Sequence, residues 1–332
     1  MTSEIVFEYS QYEFENVEEL SQMFELCFGY KPNPGYFQWK YLDNPAGKAI
    51  AFVAKHEGTI AGFYGVIPEW YWIADEKQTI YQSMDTMTHP DYQRKGLFGK
   101  LAKLTYEHIK QVNGSIHLIG FPGHTSYNGF VNRLDWEDII QIKYRFVYRF
   151  WFGLRHLFTK FPPIKIVTTD RLDQDVSVYL DTKKNRALPI EKYIDGSILQ
   201  WRILDHPIRK YKLAKILVHA QLVGIVAYEM MDNKLFILNL DVDVEILNSS
   251  HLGSLCNELL KIEKQANALY TFQPNQSSLD QAYKNNGFAV NPFKRGPFSY
   301  RTPFIVYGDK QINGIDWFDA SNFNIQPVFR DF

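Results

Sequence analysis

The run Gln93-Arg94-Lys95-Gly96-Leu97-Phe98-Gly99-Lys100 combines two glycines, three cations and the start of an apolar helical stripe. Ahead of it, Thr86 to Thr88 reads as the end of a strand closed by His89-Pro90. A strand that stops at a proline, a loop, and a glycine that opens a helix leave backbone N–H groups unpaired at the helix N-terminus. With the helix dipole these groups make a site for a diphosphate. Gly96 lets such a ligand approach the main chain, and Arg94, Lys95 and Lys100 add positive charge. The competing reading is a basic strand-to-helix turn that binds nothing.

Other chemistry finds less support. Cys27 and Cys256 fall in apolar, helix-like segments of different halves, without disulfide or metal-ligand spacing, so no metal is expected. The formal charge is −1 and no basic run stands out, which argues against a duplex-binding protein. Met1 to Ile5 lacks the basic and apolar regions of a signal peptide. No stretch approaches the length of apolar residues that spans a bilayer. The expectation is a soluble, cytoplasmic protein with no nucleic-acid or membrane partner, monomeric or homodimeric.

The elements that must position the loop repeat along the chain. Phe37-Gln38-Trp39-Lys40-Tyr41-Leu42-Asp43-Asn44-Pro45 recurs as Leu199-Gln200-Trp201-Arg202-Ile203-Leu204-Asp205-His206-Pro207, an offset of 201 − 39 = 162 residues. Ile60-Ala61-Gly62-Phe63 recurs as Leu222-Val223-Gly224-Ile225, and 224 − 62 is again 162. Two matches at one offset indicate a duplication. In the first half, apolar spacing predicts helices over 17–28, 97–112 and 127–134. Strands are predicted over 5–9, 49–55, 60–67, 79–88 and 116–121, with Gly58 in a tight hairpin. Alternation from Ile140 to Phe150 predicts one long, half-buried strand. The predicted division is a first domain over 1–150, a connector over 151–163 and a second domain over 164–332. The connector's aromatics with Arg155, His156 and Lys160 fit a helix lying on a membrane surface or one packed between domains; the packed helix is expected.

Gln93-x-x-Gly96-x-Phe98, after Thr88-His89-Pro90-Asp91-Tyr92, resembles the pyrophosphate loop of the GNAT acetyltransferase superfamily. That loop is Gln/Arg-x-x-Gly-x-Gly/Ala, so Phe98 departs at the third fixed position. The resemblance covers nearly the whole chain as a tandem duplication. It implies an α+β fold of two GNAT-like domains, each a mixed, mainly antiparallel sheet flanked by helices. It also implies acetyl-CoA as cofactor and a small amine as acceptor. The string from Trp39 through Gly65, Asp85 and His89-Pro90 to Phe121-Pro122 looks like GNAT proteins encoded among surface-polysaccharide genes, which suggests an amino sugar. Those members often read Phe-Pro-Asn where this chain has Phe121-Pro122-Gly123-His124.

Carried onto these residues, the resemblance has Met87, Thr88 and His89 hold the pantetheine by backbone contacts. Gln93, Arg94, Lys95, Gly96, Leu97, Phe98, Gly99 and Lys100 then cradle the diphosphate. The amide of Met87 or Thr88 is the candidate oxyanion donor. Asp85 is the first choice of general base, with acceptor orientation as its alternative role. His124 either replaces Asp85 as base or substitutes for a pantetheine-contacting Asn. Val131 stands where many members place the tyrosine that protonates the leaving thiolate, and Tyr127, one turn earlier, is the substitute acid. The side chains of His89 and His117 read as structural. In the second half Ala282-Tyr283-Lys284-Asn285-Asn286-Gly287-Phe288 keeps the tyrosine motif. Its strand-to-helix junction, Asp241 to Ser250, is acidic and lacks a glycine loop, so that domain is expected not to bind CoA and Tyr283 to be a relic or a packing residue. The rivals are an inactive protein of the same fold and a Fem-type transferase that uses aminoacyl-tRNA.

Overall fold

The computed structural model describes residues 5–14, 16–182, 188–242, 248–274, 277–292 and 302–327. Strand β1 (Glu8–Gln11) leads to α1 (Val17–Phe28), which opens on the Asn16 carboxamide accepting from the Glu19 amide at 3.2 Å. It closes at Gly29 with φ +78°, a left-handed conformation that glycine takes without strain. A single turn, α2 (Pro34–Phe37), runs into a π-helical turn at Gln38–Leu42. Next come β2 (Ile50–His56), β3 (Thr59–Ile73) and β4 (Glu76–Thr88), antiparallel in succession. Glu57 and Gly58, both at positive φ, make the tight β2–β3 turn. A short 3₁₀ turn at Pro90–Tyr92 precedes α3 (Leu97–Asn113), then β5 (His117–Gly120), α4 (His124–Arg133) and β6 (Glu137–Ile142).

Further along lie β7 (Tyr144–Tyr148), α5 (Arg149–Arg155), β8 (Lys165–Thr169), α6 (Gln174–Thr182), β9 (Ile190–Lys192) and α7 (Gly196–Leu199). A second π-helical turn at Gln200–Leu204 precedes β10 (Lys212–Val218), β11 (Gln221–Met231) and β12 (Lys234–Val242). The chain continues through α8 (Ser249–Ile262), β13 (Ala268–Phe272), α9 (Ser277–Asn285), β14 (Ala289–Val290) and β15 (Thr302–Gly308). The repeat is structural. In each copy the glutamine bridges to the aspartate five residues on, Gln38 to Asp43 at 2.7 Å and Gln200 to Asp205 at 2.6 Å.

Two compact units result. The first comprises Met1–Ile140 and Pro303–Ala320, the second Gln141–Thr302 and Ser321–Phe332. Their sheets share one order. In the first unit it is β1-β2-β3-β4-β5-β15-β6; in the second it is β8-β10-β11-β12-β13-β7-β14. β4 and β5 run parallel, as do β12 and β13, while β1–β2, β2–β3, β3–β4 and β5–β15 in the first order, and β8–β10, β10–β11, β11–β12, β13–β7 and β7–β14 in the second, are antiparallel. The place next to β5 is thus filled from the far end of the chain, and the place next to β13 by β7. The single strand expected over 140–150 is broken at Lys143, because β6 and β7 join different sheets. The division therefore departs from 1–150 and 164–332. Helix α3 packs on β3 where Gly62 leaves room: a Cβ there would meet Leu101 at 3.0 Å. Leu97, Leu101 and Ile109 bury against Tyr64, Val66, Leu118 and Trp136 in the first core. Leu252, Leu255, Cys256 and Leu259 of α8 do the same against Tyr228, Ile237 and Leu269. The expected packed connector over 151–163 is contradicted in part. Phe152 is buried, but Trp151, Leu154, Leu157 and Phe158 are exposed. No helix is long and apolar enough to cross a membrane among the described residues.

Candidate functional site

The loop before α3 is built to expose amides. Arg94 (φ +63°) and Gly96 (φ +77°) both adopt left-handed backbone, which turns successive N–H groups toward one side. Gly96 caps α3 with no side-chain hydrogen bond. The amides of residues 94–99 donate to no group among the described residues. A Cβ built at Gly96 or Gly99 would meet nothing within 4 Å, so the space before these amides is open. Arg94, Lys95 and Lys100 are exposed beside it with no carboxylate partner among the described residues. Helix α8 in the second unit differs. Its first amides, of Ser250 and His251, are taken by the Asn248 carboxamide at 3.0 and 3.1 Å. Residues 243–247 of that acidic junction lie outside the described residues. Phe98 points away from the open face. Its ring contacts Phe130 at 5.2 Å and lies so near Gly129 that a Cβ there would come within 2.9 Å.

Strands β4 and β5 pair only at Tyr81–Leu118 and Gln82–Ile119, and beyond Gln82 they part. At this opening β4 carries a bulge opposite Phe63–Gly65, where Asp85 takes φ +48°. Such strain in a non-glycine residue is kept only where the surroundings over-determine it. Here they do: the Asp85 carboxylate accepts from the Tyr41 hydroxyl and, at 2.7 Å, from the wholly buried Lys40 ammonium. Lys40 also donates to the Tyr36 hydroxyl at 3.1 Å. Both contacts use Oδ2 of Asp85, and Oδ1 has no partner among the described residues. Past the bulge, the Cys27 thiol reaches the Thr88 carbonyl at 3.5 Å. Burial raises that thiol's pKa above its usual value. Ser83 donates to the Tyr64 hydroxyl at 3.0 Å, and Tyr64 lies 3.0 Å from the Tyr106 hydroxyl, which receives the Trp136 indole N–H at 2.7 Å. This buried chain ties β4, β3 and α3 together behind the opening.

The remaining sequence-predicted residues divide. His124 is exposed at the start of α4, at the end of β5 where the strands have parted. Tyr127 is committed: its hydroxyl donates to Asp138 at 2.6 Å, and that bond holds the phenol above its ordinary pKa. His89 is a correction to the expected backbone contacts. Its amide donates to the Ala61 carbonyl at 2.9 Å and its carbonyl accepts from Tyr92, while its ring caps the 3₁₀ turn at Asp91. His117 is buried against Trp317, and burial lowers its pKa. Tyr283 lies fully within the second core, against Phe288. Lys40 and Tyr41 were missed as site residues. They sit in the repeated motif, but the second copy has Arg202 and Ile203 there, so the repeat itself carried no sign of the contact. A polar cavity of about 530 Å³ lies elsewhere, at the start of β4, lined by Lys77, Tyr81, Asn113 and His117 among others. It stands at the other end of the strand from Met87.

Residues 8–139 match the family model described as acetyltransferase (GNAT) domain. No curated protein matches the chain. A conserved protein of unknown function from Enterococcus faecalis V583, described as a probable N-acyltransferase, superposes with TM-score 0.70 at 9% identity, over 91% of this chain and 72% of that one. A tandem GNAT protein from the clavulanic acid biosynthesis pathway gives 0.57 at 14%, over 91% and 98%. Saccharomyces cerevisiae N-myristoyltransferase with bound myristoyl-CoA gives 0.58 at 10%, over 96% and 84%. At such identities these likenesses speak for the fold.

Proposed function

We propose that this chain, whose first unit is a GNAT acetyltransferase domain and whose fold is that of tandem GNAT proteins, is an acyl-CoA-dependent N-acyltransferase that acetylates a primary amine of a small acceptor. The observation that carries the reading is the open N-terminus of α3, in contrast to the capped N-terminus of α8. Bound CoA would supply the acyl thioester. The amides of residues 94–99 with Arg94, Lys95 and Lys100 would hold its diphosphate. The edge of β4 at Thr88, freed where β5 departs, offers its amide to the pantetheine or to polarise the acyl carbonyl, whereas Met87, like His89, turns its backbone groups to β3. Asp85, fixed through Oδ2, presents Oδ1 to the acceptor ammonium and takes up its proton directly or through water. His124, exposed at the start of α4, is the other candidate for the base or for a contact to the pantetheine.

One observation favours a second reading, a CoA-binding protein without turnover. The Tyr127 hydroxyl donates its hydrogen bond to Asp138, and Val131 is apolar, so neither offers a free phenol to a leaving thiolate. Calorimetry and a thiol-release assay separate the readings. Acetyl-CoA should bind at one site per chain, and Gly96→Glu should abolish binding by placing a side chain and a negative charge before the amides. Thiol release should then appear with at least one member of a panel of amino sugars, amino acids and polyamines. Two equal sites, or unchanged affinity in Gly96→Glu, would refute the site. Binding without turnover across the panel would favour the second reading, and no CoA binding would favour a Fem-type enzyme.

A further inference from the structure

Residues 139–169 contain six Lys and Arg and no Asp or Glu, in a chain whose overall formal charge is −1. Within that stretch the structure turns an apolar face outward. Among the described residues, six of the sixteen exposed large apolar side chains fall within residues 148–158, so their grouping needs a cause. Phe150, Trp151, Leu154, Leu157 and Phe158 recur at helical spacing along α5 and the turns that extend it. Phe152 and His156, one turn apart, face the other way with their rings in tilted contact at 4.6 Å, and Phe152 anchors the segment in the second unit's core. The outward face is not a loose end. It protrudes: Phe158 is 94% and Phe150 70% exposed.

The charges beside this face have one sign. Arg149, Arg155, Lys160 and Lys264 make no ion pair among the described residues. Arg149 and Arg155 are steadied by backbone carbonyls instead, Ala266 at 3.2 Å and Asn285 at 3.1 Å. A cleft of about 520 Å³ opens next to the aromatics, lined by Tyr148, Arg149, Phe150, Trp151, Lys264 and Gln265, with no carboxylate. A protruding set of Phe, Trp and Leu rimmed by unpaired cations has the chemistry of an interfacial anchor, in which the rings enter the headgroup boundary and the cations meet lipid phosphates. A second copy of the chain is a poor occupant. A twofold contact through this face would set the same unpaired cations opposite each other.

We infer that this face docks the protein on the surface of an anionic phospholipid bilayer, with the Arg149–Lys264 cleft receiving a lipid phosphate. The inference stands apart from the acyl-transfer reading, and its test needs no turnover. The full chain should float with vesicles of phosphatidylcholine and phosphatidylglycerol at 7:3, but not with phosphatidylcholine alone, and should be released by raised salt. Phe158→Asp combined with Trp151→Asp alters only exposed side chains and should abolish flotation while circular dichroism and melting stay unchanged. Lys160→Gln with Lys264→Gln should weaken binding on the order of 25-fold, at about five-fold for each cation lost. Failure to float with the anionic vesicles, or flotation that ignores both double variants, would overturn the inference. So would a wild-type dimer in sedimentation equilibrium that Phe158→Asp dissociates, since the face would then meet a second copy.

Discussion

Asp85 is fixed by two neighbours from another part of the chain, the Tyr41 hydroxyl and the Lys40 ammonium, and it holds a left-handed backbone conformation to meet them. That arrangement couples activity to stability. Asp85→Asn leaves Lys40 buried without its carboxylate, and loss of one partner of a buried pair costs about 3–5 kcal/mol. The variant should therefore unfold at lower denaturant and also lose about 10²–10⁴-fold in turnover. Replacing both partners, Lys40→Met with Asp85→Leu, should return most of the stability and none of the turnover. Denaturation curves beside steady-state rates decide it. Turnover at the wild-type level in Asp85→Asn would remove Asp85 from the reaction and leave it a purely structural residue.

At the scale of elements, α3 and α4 of the first unit fit each other through a large side chain and an absent one. Phe98 stands where the GNAT loop that this run resembles has a small residue, and its ring covers Gly129. In an open helix, alanine is favoured over glycine by about 1 kcal/mol. Gly129→Ala should nonetheless destabilise the protein, because the new Cβ meets the ring at 2.9 Å. In a Phe98→Ala background the sign should reverse, with Gly129→Ala stabilising by roughly 0.5–1 kcal/mol. A double-mutant cycle in urea measures the coupling. Equal effects in the two backgrounds would mean that Phe98 does not rest on α4. The repeated glycine of the two halves shows the same dependence on surroundings. Gly62 leaves room for α3, whereas a Cβ at Gly224 would strike the Asp241 carbonyl at 2.7 Å.

At the scale of the molecule, neither half of the sequence is a whole unit. A fragment over 1–163 carries β7, whose sheet partners β13 and β14 it lacks, and misses β15, which fills the place next to β5. It should be insoluble, through an unpaired β5 edge and an orphaned strand rather than any lost acceptor contact. Joining residues 1–142 to 302–327 by a Gly/Ser linker restores the sheet order and should give a soluble protein that binds CoA by calorimetry. A soluble, CoA-binding 1–163 fragment would mean that β7 can replace β15.

What the sequence determined by itself is what depends on near neighbours. The Gln93–Lys100 loop was legible because glycine, cations and helix start lie within one turn of each other, and α1 because its apolar residues recur at helical spacing. The repeat was legible because its Gln and Asp close a local bridge in both copies. Only the tertiary structure decided which sheet β7 and β15 enter, that Lys40 meets Asp85, that the Tyr127 hydroxyl donates to Asp138, and that Phe150, Trp151, Leu154, Leu157 and Phe158 face outward. The physical reason is common to all four. Periodicity tells which face of an element is apolar and which side chains are charged, but not what other surface arrives to cover the one or pair with the other.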